Sequence, residues 1–152
     1  MSQTLSNILV HVVFHKKTSA PAIREDEQHR LNRFVQRTCE NLKCHCLIAN
    51  GPGDHLHLLV ALSPEVAVAQ LVKEVKRTAT GFLKECDTAY YHDFYWQAGY
   101  GVFSVSAKLK DAVYAYIARQ KEHHQKQPVQ NEFEALLRSA GVTDYRTDYY
   151  WQ

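Results

Sequence analysis

The chain has 152 residues, 45% of them hydrophobic, with 18 basic against 16 acidic side chains and a net charge of +2. That length and apolar content fit a single domain over 1–152 with a core of its own, and the charge excludes a globally basic coat, so any nucleic-acid surface must be local. No apolar run approaches a membrane span and residues 1–4 lack a basic lead into an apolar stretch, so a membrane-free cytoplasmic protein with four reduced cysteines is expected.

Over 7–16, Ile8, Val10, Val12 and Phe14 alternate with Leu9, His11, Val13 and His15, a β-branched first strand. After Pro21, residues 24–42 carry Leu31, Phe34, Val35, Cys39 and Leu42 at helical spacing. Two strand-like runs, 44–50 and 55–62, flank Gly51-Pro52-Gly53-Asp54, a turn-forming cluster that predicts a hairpin. Pro64 is expected to open a second helix over 65–85, with Val68, Leu71, Val72, Val75, Ala79 and Phe82 on its inner stripe. An aromatic segment (90–96) precedes a fourth strand over 100–106, and Ser106 is placed to cap a third helix over 107–124. Pro128 and Gly141 bracket a short last helix over 131–140. The order predicts an α+β fold: a ferredoxin-like βαββαβ antiparallel sheet with helices on one face, followed by a tyrosine-bearing C-terminal helix and the short last helix.

Strand parity puts Leu56, Leu58, Val60 and Leu62 on one face and His55, His57, Leu59 and Ala61 on the other, so the two imidazoles project together away from the main core. In the third helix Leu109, Val113 and Ile117 form the apolar stripe, Gln120 falls inside it, and Tyr116 lies one turn below Gln120 while Tyr114 points away. His55, His57 and Gln120 therefore offer two imidazoles and a carboxamide, a borderline set suited to Mn²⁺ or Mg²⁺ with open positions for phosphodiester oxygens. Tyr116 is the candidate nucleophile. Its unperturbed pKa near ~10 means that it must surrender a proton to act. His123 falls on the same face.

Cys44-His45-Cys46 with the two histidines is a rival zinc set, but hairpin pairing separates the cysteines from His55 by about 15 Å. Lys16, Lys17, Lys73, Lys76, Arg77, Lys84 and Arg119 are candidate DNA contacts, although such runs are as readily a solvated helix face.

Asp54-His55-Leu56-His57-Leu58-Leu59-Val60, Tyr116-Ile117-Ala118-Arg119-Gln120 and the approach Trp96-Gln97-Ala98-Gly99-Tyr100-Gly101-Val102-Phe103-Ser104-Val105 together resemble the single-tyrosine HUH transposases of small insertion sequences and their relatives associated with repetitive extragenic palindromes. The resemblance covers essentially the whole chain. It implies a bacterial or archaeal enzyme that cleaves single-stranded DNA at hairpin-containing element ends, with Tyr116 forming a 5′-phosphotyrosine link, a divalent metal on His55, His57 and Gln120, and a homodimer in which the tyrosine helix can be exchanged between subunits. The basic residues would then contact hairpins, and the 90–96 aromatics could stack on extruded bases. A rival is a non-catalytic nucleic-acid-binding module on the same scaffold; such modules present aromatic rings on central strands, where this chain presents His55 and His57.

Overall fold

The computed structural model describes residues 2–120 and 128–151. Strands β1 (Leu9–His15), β2 (His45–Asn50), β3 (His55–Ala61) and β4 (Gly101–Val105) form one antiparallel sheet in the order β2-β3-β1-β4. With helices α1 (Glu25–Asn41) and α2 (Val68–Cys86) on one face, this is the expected ferredoxin-like arrangement. Among the described residues three further helices follow: α3 (Lys110–Ala118), α4 (Val129–Ser139) and the unanticipated α5 (Thr147–Tyr150). No helix among the described residues is long and apolar enough to cross a membrane.

The main core lies between the sheet and α1/α2. Val10, Val12 and Phe14 of β1 and Leu56, Leu58 and Val60 of β3 meet Leu31, Val35 and Cys39 of α1 and Leu71, Val75, Ala79 and Leu83 of α2. Each large aliphatic or aromatic side chain buried there contributes about 1.5–3 kcal/mol. The aromatic segment belongs to this core: Tyr91 and Phe94 are wholly buried, and Trp96 meets Phe14 edge-on at 4.8 Å. His92 and Tyr95 are the exposed rings of the segment, while Tyr91, Phe94 and Trp96 pack into the core, so most of its aromatic surface is packing and not free to stack on extruded bases.

Several boundaries differ from the sequence reading for local reasons. Helix α2 starts at Val68 because Pro64 sits in a preceding turn, where the backbone N–H of Val66 donates to Ser63 O. The third helix opens with a 3-10 turn, Ala107–Leu109, that leaves Leu109 exposed, so its expected stripe narrows to the wholly buried Ile117. Regular α3 ends at Ala118, and His123 lies outside the described residues.

Two details of the β2–β3 hairpin set the site. A β-carbon on Gly51 would lie 2.0 Å from the carbonyl oxygen of His55, so this turn closes only around glycine. A bulge at Leu47, between the pairs Cys46↔Val60 and Ile48↔Leu59, reverses the parity of β2. Cys46 therefore shares the core face with Val60, while Asn50, opposite His57, faces the other way. Cys46 is also five residues along β3 from His55, which removes the zinc alternative. The thiol is held protonated and inert by its hydrogen bond with Cys39 and by burial, both of which push its pKa up.

Candidate active site

The second face of the sheet is built from strand alternation in register. His11, Val13 and His15 of β1 stand beside Leu59, His57 and His55 of β3, with His15 directly opposite His55 and Val13 opposite His57. This half-polar face is covered as well: Phe133 and Leu137 of α4 pack on Val13, and α3 lays Ile117 against the β2 side. Four imidazoles (His11, His15, His55 and His57) are thereby removed from water.

Both halves of the expected constellation reach this face in one chain. Tyr116 half-buries beside His57, with ring centroids 5.8 Å apart, while Tyr114 points to solvent. Gln120 is fully buried with its Oε1 3.3 Å from His55 Nε2, and its Nε2 donates back to the Tyr116 carbonyl at 3.4 Å. Asn50, turned to this side by the bulge, donates from Nδ2 to the carbonyls of Ile117 and Ala118 at 3.0 and 3.3 Å. These bonds satisfy last-turn acceptors of α3 and tie the tyrosine helix to the edge strand.

Glu132 completes the group and was not anticipated. Its Oε1 accepts the Tyr116 hydroxyl proton at 2.7 Å and lies 2.9 Å from His57 Nε2 and 3.8 Å from His55 Nε2. His55, His57 and Glu132 place their ligand atoms within 4.8 Å of one another. Behind them, Asp54 Oδ1 holds His55 Nδ1 at 2.6 Å, and His11 Nε2 lies 2.8 Å from His57 Nδ1. His15 Nδ1 is 3.2 Å from the Tyr150 hydroxyl of α5.

Burial and charge act on these groups in opposite directions. Desolvation drives His57 down to about 3 and His11 to about 4, only partly opposed by the Glu132 charge, so both are neutral. For His55 the same burial is outweighed by Asp54 and Glu132, which lift it to about 9. Burial tends to raise the Glu132 carboxyl, but its contacts with His55 and His57 win and hold it well below the carboxylate range. Tyr116 is raised well above an ordinary phenol by burial and then by Glu132. A neutral imidazole, a buried carboxylate and a carboxamide oxygen form an oxygen-and-nitrogen donor set of the kind that takes a divalent ion. Among the described residues Glu132 Oε2 is buried with no hydrogen-bond partner, and His57 Nε2 faces the Glu132 carboxylate at 2.9 Å, so both stand where a cation would find donors. The residues present therefore fit a metal.

The remaining expected residues are dispersed. Lys76 is drawn into the fold, its ammonium donating to the carbonyls of Gln97 and Gly99 at 2.8 and 2.7 Å and lowered to about 8 by burial. Arg77 pairs with Glu74, and Lys73 is exposed on the same helix. Lys84 lies over the exposed Tyr95 ring at 4.5 Å, Lys16 and Lys17 follow β1, and Arg119 is exposed at the end of α3. His11 and His15 were visible in the sequence as the alternate positions of β1, but only the β1–β3 register puts them beside His55 and His57. Glu132 had no local signal.

The chain matches the family model described as "Transposase IS200 like" over residues 4–120, a span that includes all four strands, Tyr116 and Gln120 and stops short of Glu132. It is 26% identical over 129 residues to the transposases for insertion sequence element IS200 of Salmonella typhimurium and of Salmonella typhi, across 80% of this chain and 82% of each relative. A crystal structure of a provisionally assigned transposase from Deinococcus radiodurans R1 superposes with a TM-score of 0.62 at 15% identity, covering 79% of this chain and 95% of that one.

Proposed function

This chain belongs to the IS200-like transposase family, and from that premise we propose that it is a metal-dependent endonuclease and strand transferase for single-stranded DNA, with Tyr116 as the nucleophile. The observation that carries the proposal is the meeting, on one buried face, of the Tyr116 phenol with His55, His57, Gln120 and Glu132. A packing tyrosine has no need of such neighbours.

His55, His57 and Gln120 would hold a Mg²⁺ or Mn²⁺ ion, with Glu132 as a fourth donor. The ion would polarise a DNA phosphate and stabilise charge on its oxygens. Tyr116 Oη attacks the phosphorus and forms a 5′-phosphotyrosine link as the bond to the 3′ oxygen breaks, and that oxygen leaves as a 3′-OH after taking up a proton. Attack by a new 3′-OH reverses the exchange, so no external energy source enters. In the resting arrangement the phenol proton stays on Tyr116, because burial and Glu132 raise the phenol while the histidines keep the carboxyl low. Productive attack thus requires the Tyr116–Glu132 contact to be replaced when the phosphate enters.

The substrate in this proposal is a hairpin at each element end. Of the expected cations, Lys16, Lys17, Lys73, Lys84 and Arg119 are exposed or half-exposed and free to meet its backbone, while the Lys76 ammonium is committed to the fold. A homodimer is proposed through β4, an edge strand that shows Val102 to solvent. Tyr116 reaches its own chain's His57 through α3; exchange of that helix between subunits would rebuild the same contacts in trans.

Incubation with hairpin-bearing single-stranded DNA and Mn²⁺ is expected to give a covalent protein–DNA band on a denaturing gel. The band should vanish in Tyr116→Phe and with EDTA, and multi-angle scattering should report a dimer. A band that survives Tyr116→Phe would remove Tyr116 as the nucleophile.

A further inference from the structure

We propose that Asp54 and His11 are positioning residues that turn His55 and His57 so that both Nε2 atoms, and neither Nδ1, face the metal. The inference rests on the metal reading of this site and concerns the chain's own residues behind it. The Asp54 carboxylate can only accept a hydrogen bond, so its 2.6 Å contact requires a proton on His55 Nδ1, which leaves Nε2, the atom facing Gln120 and Glu132, as the ring nitrogen that would ligate once a metal takes the place of its proton. Asp54 is fixed for this task. Its own carbonyl accepts the backbone N–H of Lys16 at 3.0 Å, and the preceding carbonyl of Gly53 accepts that of Ile23 at 2.8 Å.

Among the described residues no carboxylate stands behind His57. Its Nδ1 faces His11 Nε2 at 2.8 Å, with ring centroids 5.0 Å apart and planes inclined by 23°, a spacing that fits an N–H···N bond between the two rings. One proton serves that contact. When His57 Nε2 is a ligand, the shared proton must sit on His57 Nδ1, and His11 accepts it. His11 is buried and comes from a different strand, so a side chain on β1 sets the tautomer of a ligand on β3.

The test compares Asp54→Leu and His11→Leu, which cannot accept, with Asp54→Asn and His11→Gln, whose amide oxygens can. Calorimetric titration with Mn²⁺, without DNA, is expected to show roughly 10- to 100-fold weaker binding for each Leu variant and recovery to within several-fold of wild type for the amide variants. In the Zn²⁺-loaded wild type, nitrogen-15 spectra should show both rings ligating through Nε2 with protonated Nδ1. Wild-type affinity in the folded Leu variants overturns the inference alone, and a wild type that binds neither ion overturns the metal reading with it. If a Leu variant does not fold in thermal denaturation, the wild-type spectrum decides, because a ring bound through Nδ1 contradicts the proposal directly.

Discussion

Replacing Glu132 by Gln tests how the site is held together, because it keeps the shape and removes the charge. In the wild type the carboxylate accepts from Tyr116 at 2.7 Å and lies 2.9 Å from His57 Nε2 in a buried setting. A hydrogen bond to a charged partner contributes about 1.5–3 kcal/mol, against about 0.5–1.5 for a neutral one. Gln can still accept from Tyr116, so the change converts a charge-assisted bond into a neutral one and should cost about 1–2 kcal/mol at that contact. Two shifts follow. Tyr116, raised by burial and then by Glu132, should titrate at lower pH, and His55 should fall from about 9 because it loses the support of the Glu132 charge. Mn²⁺ affinity should drop roughly 10- to 100-fold if the carboxylate is a ligand, as a loss of about 1.4–3 kcal/mol implies. Tyrosine labelled at the ζ carbon reports the phenol by NMR, and calorimetry reports the metal. An unmoved Tyr116 titration together with unchanged Mn²⁺ binding would refute the reasoning that Glu132 organises both groups.

Other expectations are independent of that contact. Asn50→Ala removes the donor to Ile117 and Ala118. It should cost about 1 kcal/mol of stability and slow covalent adduct formation more than the stability loss explains, read by single-turnover gels. Gly101→Ala would put a β-carbon 2.7 Å from the Phe133 ring and 3.2 Å from that of Phe103, so it should destabilise by about 1–3 kcal/mol and displace α4 with Glu132, seen as a lower melting temperature and weaker Mn²⁺ binding. Acid should destabilise the metal-free protein. Burial lowers His11 to about 4 and His15 to about 2, so the unfolded chain takes up protons first, and stability present above about pH 6.5 is lost as the pH falls towards 4. For His11 alone this is on the order of 3 kcal/mol. His55 acts oppositely: its contribution is complete below about pH 6.5 and disappears as the pH rises through about 9. Melting curves from pH 4 to 10 should therefore show a maximum between these limits, and a midpoint flat below pH 6 would contradict the burial of His11 and His15.

Local pattern was enough for what depends on neighbours along the chain. Period-two alternation in β3 put His55 and His57 on one face, and the 3.6-residue turn of α3 brought Tyr116 rather than Tyr114 beside Gln120. The hairpin was legible because its turn residues are local, and the element order implied the sheet. Pairing between distant strands was not legible, since alternation says which residues share a face of one strand and nothing about which strand lies next to it. His11 and His15 therefore joined the site only through the β1–β3 register, and Asn50 only through a bulge that reverses β2. Glu132 is the furthest case. A glutamate on a short helix looks like a solvated side chain, and what turns it into the partner of Tyr116 is the docking of α4 through Phe133 and Leu137 on the histidine face. The sequence by itself determined which residues of β3 and α3 are the candidates for the chemistry; tertiary packing alone decided which carboxylate and which imidazoles stand behind and across from them.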